Sequence, residues 1–332
     1  MTTRDTATQF RDAVRRTAAT LRERLPGQPP PQYYLHFGAD YDLARLFDAP
    51  AERFYLAECS EWEGGANLDG EEPELRFGQC CGVPVVASCG GRRQAEGAAM
   101  TEVLFPTAVA EELGARRHIY VDTAISLDPE LKAGKWGMLT DFINGYALSP
   151  LDGLHGLLEQ PYPDLTDVFS QHQNSEIINA LAEFGPPPRL CTFYGHPGFH
   201  ACTRAEARLA RNAGAELIGH DLVLHLIFSH ALGCCVSALL LAGAQLLPDS
   251  GAPVRREEMR GTGHFCSTQL VNGLRKALAE LDREAEMPEL LTTPDDDVDE
   301  FLTASIKQCA TRSSPLKAFL KRPDQGQSQK ES

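Results

Sequence analysis

The stretch Leu131–Gly153, LKAGKWGMLTDFINGYALSPLDG, decides the fold once it is read with its flanks. Upstream, Asp12–Leu25 carries apolar or small positions at helical spacing, and Pro26–Pro31 ends that helix. Gln32–Phe37 reads as a strand running into Gly38, and Glu74–Phe77 and Val83–Ser88 as strands around a Cys81-Gly82 turn. Thr101–Leu113 has the pattern of a buried helix stopped by Gly114, and the strand His118–Thr123 follows. Downstream, Ser149–Tyr162 is rich in Pro and Gly and reads as a long ordered loop. A helix over Ser175–Phe184, a strand over Arg189–Phe193, a helix over Arg204–Ala213 and a short strand over Glu216–Gly219 come next. Leu222–Leu232 reads as a buried helix, Cys235–Ala242 as a strand and Glu257–Glu280 as a long amphipathic helix. This alternation predicts an α/β domain with helices around a mostly buried sheet.

Composition narrows the function classes. The 332 residues are 42% hydrophobic and 23% charged, enough for a large core without staples. The formal charge of -15, with no basic run or stripe, argues against nucleic-acid binding, which needs a cationic face to neutralise phosphates. The start, MTTRDTATQFRDAVRRTAATLRERLP, has no apolar signal core. The longest apolar stretch, Leu222–Leu247, is broken by His225, Ser229, His230 and Gly233, so no membrane span is expected and a cytoplasmic location is. Ten cysteines show no C-x-x-C spacing and are expected as reduced, mostly buried thiols.

Four pieces, in order, carry a family resemblance: GVPVVASCGGRRQAEGAAMTEVLFPTAVAEELGA, Lys132–Gly153, HPGFHACTRAEARLARNAGAELIGHD and the REEM segment at Arg256–Met259. Together they resemble the trimeric branch of the purine nucleoside phosphorylases over roughly residues 10–285. The resemblance implies one α/β domain over residues 1–314, a twisted mixed sheet or distorted barrel surrounded by helices, with a polar tail at 315–332 expected to be disordered. It also implies a homotrimer whose Leu151–Asp164 loop closes a neighbour's site, a small-molecule substrate and no cofactor.

Position by position, the family's contacts are replaced. Gly38 stands where the family offers a phosphate-binding serine, with Asp40 nearby. In the family's Gly-Arg-x-His-x-Tyr-Glu-Gly segment, Arg93 takes the histidine's place, Ala95 the tyrosine's, and Arg92 is the nearest arginine. Two adjacent guanidinium groups suit an oxyanion, or else form a solvated pair on a turn. Thr123 stands in the family's Ala-Ala-Gly turn, and offers a hydroxyl. His200 falls on the purine-binding glutamate, beside Phe199. His220-Asp221 replace a ribose-facing methionine and a phosphate-binding serine, and Arg256 replaces a histidine near the sugar. The family's base-binding asparagine maps near Gly243-Ala244, with no asparagine to substitute for it. At about 4 Å and an effective dielectric near 20, a like-charge pair costs about 4 kcal/mol, so an ionised Asp221 and a phosphate are poor neighbours.

Three readings stay open: a conventional purine nucleoside phosphorylase, a non-catalytic relative, and a repurposed enzyme. The third acts on a nucleoside-like or other small anionic substrate by glycosyl transfer or hydrolysis. In it His200, His220 and Asp221 form an acid/base group, Asp221 raising the imidazole pKa, while Gly38, Arg92, Arg93, Thr123, Phe199 and Arg256 bind substrate. His196, His200, His220, Asp221 and His225 raise the thought of a metal, but Pro197-Gly198 makes the first pair a loop, and His220 and His225 share a helix face poorly, so none is expected. A filled cavity would favour the non-catalytic reading; convergent polar groups around an open one would favour an enzyme.

Overall fold

The computed structural model describes residues 3–38, 41–59, 65–67, 70–146, 148–158, 160, 162–198, 200–247 and 253–283. Strands β1 (Tyr33–Phe37), β4 (Val83–Cys89) and β5 (Arg117–Ser126) lie side by side and parallel, with β1 in the middle. Period-two alternation sends Tyr33, Leu35 and Phe37 into one core layer and Tyr34 into the other. On the outer side, β3 (Glu74–Cys80) folds back on β4 as a hairpin. Its turn places Cys81 (φ 52°) and Gly82 (φ 84°) in the left-handed region, the twist a two-residue hairpin needs. β2 (Glu52–Tyr55) pairs with β3 as the edge.

The other four strands close a ring with β5. β6 (Trp136–Asn144), β7 (Arg189–Gly195), β8 (Leu217–Gly219) and β9 (Cys235–Gln245) follow β5 in the order β5-β8-β7-β6-β9, and β9 returns to pair with β5, Arg117 opposite Cys235 and Ser126 opposite Gln245. The register slips between Ala124 and Ile125, so Gly243 is the extra residue of a bulge. The expected mixed sheet with a barrel-like closure surrounded by helices is therefore the fold.

Helices cover both faces. α1 (Thr3–Arg24), α2 (Met100–Glu112) and α5 (Leu222–Ala231) share a core in which Phe10 meets Phe105 and Phe228 edge-on at 6.1 and 6.4 Å. Such pairs add about 0.5–1.5 kcal/mol beyond the area they bury. On the opposite face α3 (Gln171–Ala182) and α6 (Arg256–Arg283) pack Ile177, Leu181, Leu270 and Leu274 against the sheet. Truncating a fully buried leucine such as Leu270 to Ala costs about 2–5 kcal/mol. α4 (Arg204–Asn212) is opened by a capping box, Thr203 accepting from Glu206 N while Glu206 accepts from Thr203 N.

Two differences from the sequence reading have simple causes. β2 was not expected, because only Phe54 of its four residues is buried and a one-sided edge strand shows no alternation. α1 starts at Thr3 and α3 at Gln171, earlier than their apolar periodicity, the latter because Ser170 caps Gln173 N. In the Leu151–Asp164 segment Leu151 and Leu154 are buried in the core shared with α1, while Tyr162 is exposed. All nine cysteines among the described residues are free thiols. No helix among the described residues is long and apolar enough to cross a membrane. The 315–332 tail lies outside the described residues.

Candidate functional site

The carboxyl ends of β1, β4 and β5 and the end of β8 open onto one cavity of about 550 Å³. Loops leaving parallel strands converge at such an end, which explains why motifs scattered through the chain meet there. Gly38, Arg92, Arg93, Thr123, His200, His220, Asp221 and Arg256 all line it. Phe199 and Asp40 lie outside the described residues.

One corner is built from Gly38, Arg93 and Asp122. Gly38 donates from N to Val121 O at 3.0 Å and accepts from Arg93 Nη2 at 2.8 Å. A Cβ at residue 38 would fall 2.5 Å from Asp122 Oδ2, so the carboxyl occupies the space a side chain there would need. Asp122 Oδ1 accepts from Thr123 N at 2.7 Å. Burial pushes the Asp122 carboxyl up to about 6, with the Arg93 charge and the Thr123 N–H opposing and Asp221 reinforcing. Arg93 also reaches Glu96 at 3.4 Å. Beside this corner the missing side chain of Gly243 makes room for the Thr123 methyl, since a Cβ there would lie 2.2 Å from it.

Asp221 is a latch. Its φ of 50° is unusual for a residue with a side chain and aims the carboxylate inward. Oδ2 accepts from Gln94 N at 2.6 Å and Oδ1 from the Tyr146 hydroxyl at 2.9 Å, while that same hydroxyl accepts from Asp221 N at 2.7 Å. One side chain thus joins the exit of β6, the loop after β4 and the start of α5. Burial raises the Asp221 pKa, and the Tyr146 and Gln94 hydrogen bonds and the Arg93 charge pull it back.

Three histidines cluster at the rim. The left-handed turn at Gly198 brings the His200 ring within 5.0 Å of His196, and His220 is 5.6 Å from His196 on another side. His220 Nδ1 donates to His196 O at 3.1 Å, which fixes the tautomer and leaves Nε2 as an acceptor. His196 Nε2 faces Glu206 at 3.4 Å. Burial, then the charges of His196, Arg93 and His200, press the His220 pKa down to about 4 against the carbonyl bond. The expectation that Asp221 raises an adjacent imidazole is thereby corrected: its oxygens turn to Tyr146 and Gln94, and burial governs the ring.

A second histidine pair was missed. His36 and His225 line the cavity with ring centroids 4.5 Å apart. His36 Nδ1 meets Ser88 Oγ at 2.9 Å and Tyr34 Oη at 3.2 Å, and His225 Nδ1 meets Thr107 Oγ1 at 3.4 Å. Burial holds the His36 pKa well below the usual imidazole range and that of His225 at about 4. Asp122 was missed as well. The signal for it was present, a lone acid near the end of the apolar run His118–Thr123.

The far wall carries Arg76 paired with Glu74, Arg260 near Glu71 at 3.7 Å, and Arg92, whose Nε is buried without a hydrogen bond. Among the described residues no three His, Cys, Asp or Glu side chains are grouped so as to hold a metal ion.

Comparison with known proteins gives a consistent pattern. The sequence model described as "Phosphorylase superfamily" matches residues 48–278. The chain is 26% identical to purine nucleoside phosphorylase 1 of Bacillus subtilis over 225 residues, which is 68% of this chain and 82% of the relative. It is 29% identical to the purine nucleoside phosphorylase of Mycobacterium tuberculosis over 199 residues, 58% of this chain and 70% of that one. In structure it resembles Schistosoma mansoni purine nucleoside phosphorylase in complex with inosine, with a TM-score of 0.76, 19% identity, and coverage of 81% of this chain and 96% of the other. That last likeness is one of fold.

Proposed function

The chain belongs to the phosphorylase superfamily, and from that premise we propose that it is an enzyme that cleaves the glycosidic bond of a nucleoside-like substrate by hydrolysis or glycosyl transfer, without orthophosphate as the nucleophile. The observation that carries this reading is the cavity: it is open, and polar side chains from separate segments converge on it. A relative that had lost catalysis has no need to keep such a space.

Two carboxylates interact with Arg93, the guanidinium bonded to Gly38 O. Asp122 and Asp221 both feel the charge of Arg93, so that charge is already answered from within. A phosphate dianion there meets two acids and one cation, and at a few ångströms each repulsion is worth several kcal/mol. In this reading Arg92 and Arg256 hold the substrate by donated hydrogen bonds, His200 contacts it from the rim, and neutral His220 accepts a hydrogen bond from it. Thr123 donates one, and Asp221 positions the Arg93 loop.

The relatives named above support a nucleoside as the substrate, and their family supports a homotrimer. The test is release of free base from inosine, guanosine and adenosine, followed by chromatography with and without added phosphate. Release without phosphate is the expected result. Strictly phosphate-dependent formation of a sugar 1-phosphate points to conventional phosphorolysis instead.

A further inference from the structure

Resting on the phosphate-independent reading above, we infer that Asp122 is the general base that takes a proton from the attacking water. Its side chain lines the cavity with one oxygen anchored and one not. Oδ1 is held by Thr123 N, and the Asp122 backbone carbonyl accepts from the Tyr41 hydroxyl at 3.0 Å. Oδ2 has no hydrogen bond among the described residues and hangs over Gly38, where no side chain competes for the space. A fixed carboxylate with a lone pair open to a cavity is what proton abstraction from a mobile water requires.

The other ionisable groups fit the role less well. Both oxygens of Asp221 are already occupied by Tyr146 and Gln94. His220 and His225, held at about 4, are weak bases at neutral pH, and His36 is lower than its ordinary value for the same reason of burial. Asp122, raised to about 6, stays ionised at neutral pH yet is a stronger base than an ordinary carboxylate. The groups that face it are Arg93, which opposes protonation, Asp221, which favours it, and the neutral Tyr41 hydroxyl. Arg93 Nη2, tied to Gly38 O, keeps the cation in place.

The step balances without any further reagent. A water oxygen forms the bond to the anomeric carbon as the carbon–nitrogen bond breaks, and the departing base keeps that electron pair. The proton leaving water goes to Asp122 Oδ2. Solvent protonates the base, and Asp122 returns its proton to solvent, so the sum is water plus nucleoside to free sugar plus free base.

The experiment uses the full chain with inosine, guanosine or adenosine in phosphate-free buffer containing ¹⁸O-water, from pH 4.5 to 8.5. Expected are free base, ¹⁸O in the sugar, and a kcat that falls with one-proton slope below pH about 6. Asp122→Asn lowers kcat by about 10²–10⁴-fold, leaves KM within about threefold and removes the acid limb. Asp122→Ser serves if the Asn variant does not fold. Infrared difference spectra give a second readout, a carboxyl band titrating near pH 6 that is lost with Asp122. If the wild type releases base without phosphate while the variants keep its rate and pH profile, or if no such band exists, Asp122 is not the base and the glycosidase reading stands. If the wild type releases no base, or only with phosphate, that reading falls and takes this one with it.

Discussion

Asp122 and Gly38 are complementary in shape: the acid's Oδ2 lies 2.5 Å from where a Cβ on residue 38 would be. Gly38→Ala is therefore expected to displace the carboxyl from its Thr123 hydrogen bond and to destabilise the protein by about 1–3 kcal/mol, the usual cost of overpacking. In an Asp122→Ala background the same change is nearly neutral. Urea unfolding of the two single variants and the double variant measures the coupling, and additive losses would show that the two positions do not interact.

The latch makes a separate prediction. Tyr146→Phe removes the hydroxyl that both donates to Asp221 Oδ1 and accepts from Asp221 N. A loss of about 2 kcal/mol is expected, since one of the bonds is to a charged group. Hydrogen exchange at residues 93–97 should speed up while that of β1 is unchanged. Equal acceleration in both would mean that the fold has loosened as a whole.

Asp122 also bears on stability against pH. Its folded pKa, about 6, lies above the ordinary aspartate value of 3.8, so its protonated form is favoured by folding. The contribution is fully present below pH about 4 and lost as pH rises through about 6, an effect on the order of 3 kcal/mol. Asp122→Asn should thus be more stable than the wild type at pH 7.5, with the difference vanishing toward pH 4. A difference that does not change with pH would refute the assignment.

Buried histidines act in the opposite direction. His118 is fully buried and depressed from 6.5 to about 3, its Nδ1 against Ser229 Oγ and its Nε2 donating to Ala115 O. Its neutral form supports folding above pH about 6.5, and that support is lost as pH falls toward 3. His118→Gln is expected to reduce the pH dependence of unfolding free energy between pH 6 and 4 by close to one proton, read from denaturant midpoints across that window.

Assembly is checked by light scattering, where a homotrimer gives three times the 36.3 kDa chain mass. A monomeric mass at working concentration removes the proposed trimer.

Much of this molecule was legible because regular elements announce themselves by period. Strands β1, β4 and β9 and helices α2 and α5 read close to their observed bounds, since each is buried along most of its length. β2, exposed on three of four residues, had no such pattern. Convergence of Gly38, Arg93, Thr123 and Asp221 on one cavity followed from aligned strand ends, which local motifs can report. The direction in which Asp221 points could not be read this way, because it depends on a left-handed backbone and on Tyr146, 75 residues away. The pairing of His36 with His225, and the accessibility of Asp122, likewise arise only when β1, β5 and α5 are brought together.

The return of β9 to β5 sets the order in which the chain can become whole. Until Cys235–Gln245 is available, β5 shows an unpaired edge along Arg117–Ser126, although β1 and β4 have long been ready on its other side. That edge is a template for strands of other molecules during synthesis and refolding. Closure between segments so far apart in sequence makes for slow folding, because the entropy of bringing them together is spent before any contact rewards it. The seam that closes the ring of strands is thus also the place where an unfinished chain is most exposed to aggregation.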